Sequence, residues 1–370
     1  HVLGGEDCLL ASIGDPALYV AVLMALFAIL FGTRQVDATE HRPGMMLAVA
    51  LESLVKLVAL VAVGLFASRW LGARDLDYVA ATRSLIDVAP PVGFVTQTLL
   101  AFAAIFCLPR QFHVAIVECG NVEDIRRARW MFGAYLVIVT LMVIPIASAG
   151  MALFGHQGPV AADSFVLALP LAEHHNMLAL LAYVGGFSAA TGMVIVASVA
   201  LATMISNDLV MPLLLRRGWA ERHGGDVAAT VLWIRRVAIV GIAALAWGYY
   251  RASGSDTTLA AYGLMSFAAV AQFAPALIGG LYWRGASRQG AEAGLLIGFC
   301  VWIYTLLLPT LTDAGWFDPA WLVEGPLGIH WLRPRQLFGL GGWDPLTHGT
   351  FWSLLANVGA LMLVSARWRP

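Results

Sequence analysis

Long apolar runs follow one another along this chain, and the polar residues either collect between them or interrupt them at a few points. A membrane span needs roughly 20 mostly apolar residues. By that measure nine spans are expected, at 16–31, 45–67, 94–117, 130–154, 177–201, 231–250, 259–283, 290–311 and 351–365. One run is interrupted from within. In "IFCLPRQFHVAIVE", residues 105–118, the apolar stretch meets Pro109, Arg110, Gln111 and His113 and then resumes. Pro109 has no N–H and crowds the carbonyl four residues back, which predicts a helix break near residues 106–109. If the span ended at Leu108, "PRQFH" would be an interfacial loop. The apolar residues 114–117 that follow favour two half-helices instead. Irregular backbone at membrane depth survives where it is buried in protein or lines a cavity, and transporters use such breaks as binding sites.

Composition agrees with the pattern. The 370 residues are 60% hydrophobic and 12% charged, with a mean hydropathy of +0.78, whereas a soluble domain is about 45–50% apolar and about 25% charged. The expected class is an all-α multi-pass membrane protein, with the lipid bilayer as its first partner. A formal net charge of −1 offers no basic surface for nucleic acid. Cys8, Cys107, Cys119 and Cys300 have no CxxC spacing, so they suggest neither a disulfide framework nor a zinc site.

Orientation rests on arginine, since Lys56 is the only lysine. With the first loop outside, the inside loops hold Arg34 and Arg42; Arg126, Arg127 and Arg129; Arg216, Arg217 and Arg222, with Arg235 and Arg236 just beyond; Arg284 and Arg288; and Arg367 and Arg369. The outside loops hold fewer: Arg69, Arg74 and Arg83, then none, then Arg251, then Arg333 and Arg335. Cytoplasmic loops carry the excess of basic residues, so the C-terminus is expected in the cytoplasm. The outside segment 312–347 carries Trp316, Trp321, Trp331 and Trp343, which suit either a membrane–water interface or ordinary loop packing.

Ionisable groups at span centres cost about 2.5–3.5 kcal/mol each on insertion scales. Glu52 and Lys56, four apart on one helical face, either neutralise each other or line a polar cavity. The fifth span is dense in small and hydroxyl residues. Ser188, Thr191 and Ser198 serve helix packing or offer oxygens to a cation. Asn207 and Asp208 read as anchors at that helix's inner end. Enzyme chemistry finds no support. "EHHNM" lacks the spacing that puts two histidine ligands on one helical face, and no nucleophile cluster or phosphate-binding glycine loop is present. No catalytic residue is assigned, and a metal site is left open.

Several stretches taken together resemble the sodium:solute symporter family. "QFAPALIGGLYWRGASRQGAEAGLLIG" is similar to that family's C-terminal Phe-Gly-Pro…Gly-Ala-x-Ala-Gly run. "FGTRQVDATEHRPGMM" resembles its Gly-rich loop, and "LLAFAAIFCLPRQFHVAIVECGNVEDIRRARWMF" its unwound helix and following Arg-rich turn. "ESLVKL" and "LPRQFH" look most like membrane domains fused to bacterial sensor histidine kinases.

The resemblance implies an inverted-repeat transporter fold of five plus five helices. Residues 16–67 would end the first repeat, 94–283 would form the second, and 290–365 would be additional C-terminal helices. The chain begins at His1 rather than Met, and the family's first unwound helix would lie upstream, so these missing N-terminal helices are an expected partner. A C-terminal kinase module is another.

The implied function is transport of a small solute, an amino acid, across the bacterial cytoplasmic membrane. The alternative is a solute-sensing input domain of a two-component kinase. The expected substrate residues are Pro109, Arg110, Gln111, His113, Glu52 and Lys56. Sodium-coupled members carry an Ala and two adjacent hydroxyls on the helix matching the fifth span. Here Ala189 fits, but Gly192 and Met193 stand at the hydroxyl positions, and Thr191 is one place away. That departure puts Na+ coupling in doubt and makes H+, on Glu52 or His113, the alternative coupling ion. No cofactor beyond such an ion is expected.

Overall fold

In the computed structural model, residues 15–33, 43–74, 91–117, 119–155, 160–216, 227–252 and 258–368 are described. Every regular element among them is helical. In chain order these are α1 Pro16–Gly32, α2 Pro43–Ala73, α3 Pro91–Cys107, α4 Pro109–Phe112, α5 Val122–Phe154, α6 Phe165–Ala172, α7 Asn176–Met204 and α8 Met211–Arg216. They continue as α9 Val227–Ala252, α10 Leu259–Val270, α11 Ala274–Tyr282, α12 Arg288–Trp302, α13 Leu308–Asp313, α14 Ala320–Glu324 and α15 Pro345–Arg367.

Seven spans are long and apolar enough to cross a membrane, and α3 with α4 makes an eighth if that bent pair is one span. The chain is a multi-pass membrane protein. The first expected span coincides with α1, whose 17 residues sit at the lower limit for crossing the hydrocarbon core.

Capping sets several helix starts. Asp15 Oδ1 accepts from the Ala17 N–H at 3.0 Å, with Pro16 at the first helical position. Asp15 Oδ2 also accepts from the Trp247 indole at 3.3 Å, tying the start of α1 to α9. Thr258, Ser287 and Asp344 cap α10, α12 and α15 in the same way, each satisfying a backbone donor that a helix start leaves open.

The described residues fall into two units, His1–Leu85 with His113–Tyr249, and Ile86–Phe112 with Tyr250–Pro370. In the first, Val63, Ala67 and Leu71 form one stripe of α2, packed with Ile146 and Ala149 of α5, Phe165 and Leu169 of α6, and Ala182 of α7. Between apolar helices in lipid no hydrophobic force operates, so close packing of small residues takes its place. A Cβ at Gly185 would meet the Ala59 methyl, and one at Gly64 would meet Met142, which places α2 tightly against α7 and α5. Beyond the ends of these helices Arg74 donates to Glu173 Oε1 at 3.0 Å and lies 3.9 Å from the centre of the Trp70 ring. The Trp70 indole and the Arg74 guanidinium hold the Glu173 carboxyl below the usual carboxylate range.

The second unit is organised by the pair α12–α15. Gly290, Gly294 and Gly298 recur every four residues and lie buried on one face of α12. Against them stand Ser365, Leu361 and Asn357 of α15. Asn357 Nδ2 donates to the Gln272 carbonyl at 2.8 Å and to its Oε1 at 3.1 Å, and Gln272 Nε2 donates to Ser353 Oγ at 3.0 Å. These polar groups are buried (Gln272 0%, Ser353 0%, Asn357 1% exposed) and satisfy one another, as membrane depth requires.

The sequence reading needs three corrections here. Residues 126–129 belong to α5, which starts at Val122, so Arg126, Arg127 and Arg129 are helical rather than loop residues. The segment read as a plain outside loop after the fourth span contains the apolar helix α6, with Pro170 inside it. Arg235 is not at a loop edge. It is buried within α9 at 1% exposure, with Nη2 donating to Asn207 Oδ1 at 3.3 Å. The expected loop arginines Arg34, Arg42, Arg83, Arg217, Arg222 and Arg369, and Cys8, lie outside the described residues.

Candidate functional site

The expected break is present. Pro109 cannot donate to the Ile105 carbonyl, so the helical ladder loses the rung between those two residues. The axes of 93–107 and 109–116 differ by 50°. Leu108 N–H still reaches the Ala104 carbonyl at 3.0 Å, and Phe112 N–H reaches the Leu108 carbonyl at 2.9 Å, which keeps the two halves joined. Beyond Phe112 the backbone widens into a π-helical turn, His113–Val117. Such turns recur at functional sites, and two more occur, Ile205–Val210 and Ile303–Leu307.

The break exposes chemistry suited to a ligand. Arg110 and Gln111 are half-buried. Neither forms a hydrogen bond or ion pair among the described residues. An unmatched guanidinium at membrane depth is costly, and it can bind a carboxylate with two parallel N–H donors. Pro109 and His113 are also half-buried on the same short stretch.

A second feature lies within the first unit. A cleft of about 380 Å³ opens between α1, α2 and α7, and Glu52 of α2 lines it together with Ser188, Thr191 and Gly192 of α7. Phe27 and Phe31, stacked at 5.7 Å, form its α1 wall. A Cβ built on Gly192 would overlap the Glu52 carboxylate, so the absent side chain is what admits the charged group. Thr191 Oγ1 donates to the Ser188 carbonyl at 3.0 Å, which leaves the lone pairs of its oxygen available. Glu52 and Lys56 make no contact ion pair, and Glu52 is among the residues that line the cleft. Lys56 does not line the cleft.

The helical period explains which of the expected residues meet. Ser188, Thr191, Gly192 and Ile195 are spaced as one face and line the cleft. Ala189 and Met193 are rotated away from that face, and Met193 is 53% exposed. The structure therefore brings Glu52, Thr191 and Gly192 together and leaves Lys56, Ala189 and Met193 outside. Among the described residues no group of three His, Cys, Asp or Glu could hold a metal ion.

No family model, curated protein or solved structure matches the chain. What the site can do must therefore come from its own chemistry.

Arg235 and Asn207 were not read as a pair from the sequence. They lie 28 positions apart, and a double arginine after an apolar run gave no sign that one of the two turns inward. Asn207 sits in the π-helical turn Ile205–Val210, whose extra residue per turn changes the faces that a regular period would assign.

Proposed function

We propose that this chain is the membrane domain of a transporter that carries a small solute with a carboxylate, an amino acid, and couples that movement to protons. The observation that carries the reading is the 50° break between two apolar helices, which bears Arg110 and Gln111 without hydrogen-bond or ion-pair partners among the described residues. The guanidinium supplies charge and a planar donor fork for a carboxylate, and the Gln111 amide supplies one donor and one acceptor for an uncharged group. Backbone groups freed by the break add further donors and acceptors.

Coupling follows from the cleft. In the symporter family that the sequence resembles, hydroxyl oxygens stand at the positions of Gly192 and Met193. Here Gly192 yields its place to the Glu52 carboxylate. A carboxylate next to two hydroxyl residues at membrane depth can be neutralised by a proton, the cheapest means of removing a buried charge. The corresponding fold is the inverted repeat of five plus five helices, with a cytoplasmic C-terminus. Use as a solute sensor for a kinase is a second reading, favoured by the lack of the paired hydroxyls on α7.

Uptake of radiolabelled amino acids into proteoliposomes containing the full-length protein tests the proposal. Uptake should persist when Na+ is replaced by choline at constant pH and should stop when the proton gradient is collapsed. Loss of uptake on replacing Na+ alone would refute proton coupling. Solute binding without any uptake would favour the sensor.

A further inference from the structure

Ahead of α15, within the second unit, the chain passes through a tight turn at Leu337–Gly339. Phe338 sits there at φ 55°, a left-handed conformation that a bulky side chain seldom adopts. Three contacts hold the turn in place. The Leu337 side chain is buried at 6% exposure. The Phe338 ring lies 4.9 Å from the ring of Trp352 on α15. The Leu337 N–H donates to His348 Nε2 at 3.0 Å.

Of the three, only the last can be switched by a proton. His348 stands in the first turn of α15 and is 1% exposed. A ring nitrogen that accepts an N–H carries no hydrogen, so the neutral ring bears its proton on Nδ1. That Nδ1 has no acceptor among the described residues. A protonated ring carries N–H on both nitrogens. Nε2 would then set a hydrogen against the Leu337 N–H, and the bond could not form.

No described carboxylate makes an ion pair with the ring. Asp344, one turn earlier, accepts from the Thr347 N–H at 3.0 Å through Oδ2. Arg335 pairs with Asp313, and Arg288 pairs with Glu292 at the far end of α12. Arg333 donates to His330, and Tyr304 donates to the Leu332 carbonyl. The other helices packed against α15, namely α3, α10 and α11, bring no charged side chain; their titratable groups are Cys107, Tyr262 and Tyr282.

We infer that His348 is an acid-released latch: its neutral ring holds the strained turn 337–339 onto α15, and protonation of the freed ring keeps that turn away. Release unseats Leu337 and uncovers Trp352, which changes the face of the second unit at the start of α15. The inference does not rest on the transport reading, since none of the solute or coupling residues takes part. The latched state needs the neutral ring, whereas the freed ring titrates near the ordinary imidazole value of about 6.5. Opening is therefore independent of pH above that value and rises about tenfold per pH unit below it.

Hydrogen exchange of the full-length protein in lipid nanodiscs, read by mass spectrometry from pH 8 to pH 5, tests the latch. Each rate is divided by the intrinsic rate at the same pH. The peptide containing Leu337 and Phe338 should open about thirtyfold more at pH 5 than at pH 8, while peptides from α12 stay protected throughout. In His348→Gln the amide oxygen can still accept an N–H but does not titrate, so the profile should be flat. His348→Phe offers no acceptor and should leave the turn open at every pH. The inference is overturned by a flat profile in the unaltered protein, by the same rise in His348→Gln, or by an equal loss of protection in α12, which would mean general unfolding in acid. The unaltered protein and His348→Gln carry the test even if His348→Phe does not fold.

Discussion

Replacing Gly192 with alanine puts a methyl group where the Glu52 carboxylate now lies, and the consequence can be worked out with its sign. Alanine within a helix is favoured over glycine by roughly 0.5–1 kcal/mol. Against this, the Glu52 side chain must leave its position, and an off-rotamer displacement costs about 0.5–1.5 kcal/mol. The two effects nearly cancel, so Gly192→Ala alone should change stability little. In a Glu52→Ala background the carboxylate atoms nearest the methyl are gone, and Gly192→Ala should then stabilise by roughly 0.5–1 kcal/mol. The double-mutant cycle should therefore close with a coupling of about 1 kcal/mol, beyond the roughly 0.3–0.5 kcal/mol scatter of independent sites. Denaturant titration of the four purified proteins in one detergent measures it. A cycle that closes additively would mean that Gly192 does not seat the carboxylate, and the proton-coupling argument would lose its geometric basis.

Two further expectations concern each unit in turn. Asn357→Leu removes both bonds to Gln272 and leaves its buried Oε1 without that donor. A loss of about 1–3 kcal/mol is expected, read by denaturant titration, and Asn357→Leu as stable as the unaltered protein would contradict the network's role. The Glu173 carboxyl is held low by Trp70 and Arg74, so its stabilising contribution is full above the ordinary carboxylate pKa and is lost as pH falls through its lowered folded value. Thermal unfolding from pH 7 to pH 3 should therefore fall less steeply below about pH 5 in Arg74→Gln than in the unaltered protein; parallel curves would refute the linkage.

What could be read in the sequence was whatever depends on local covalent chemistry or on long runs. Pro109 breaks its helix because of its own ring, whatever surrounds it, and the break falls at Leu108 as the residue order implies. The apolar runs found helices because a span's length is set by the bilayer. The pairing of α2 with α7 was not legible, so the spacing of Glu52 and Lys56 suggested mutual neutralisation as readily as a cavity. Only the packed structure shows Glu52 reaching Gly192, some 140 positions along the chain. Arg235 shows the same limit from the other side: buried within its helix, it donates to Asn207 of another. The arginine count treated it as a surface charge. The π-helical turns were also invisible, because one extra backbone residue leaves no mark on composition.

The most direct measurement is titration calorimetry of the full-length protein against a panel of amino acids, with Arg110→Gln and Gln111→Ala alongside. The account predicts that at least one amino acid binds and that each substitution weakens it by about tenfold or more, equal to about 1.4 kcal/mol, the scale of a lost charged hydrogen bond. Binding left unchanged by both substitutions, or no binding by any amino acid, would contradict the claim that the broken helix holds the solute.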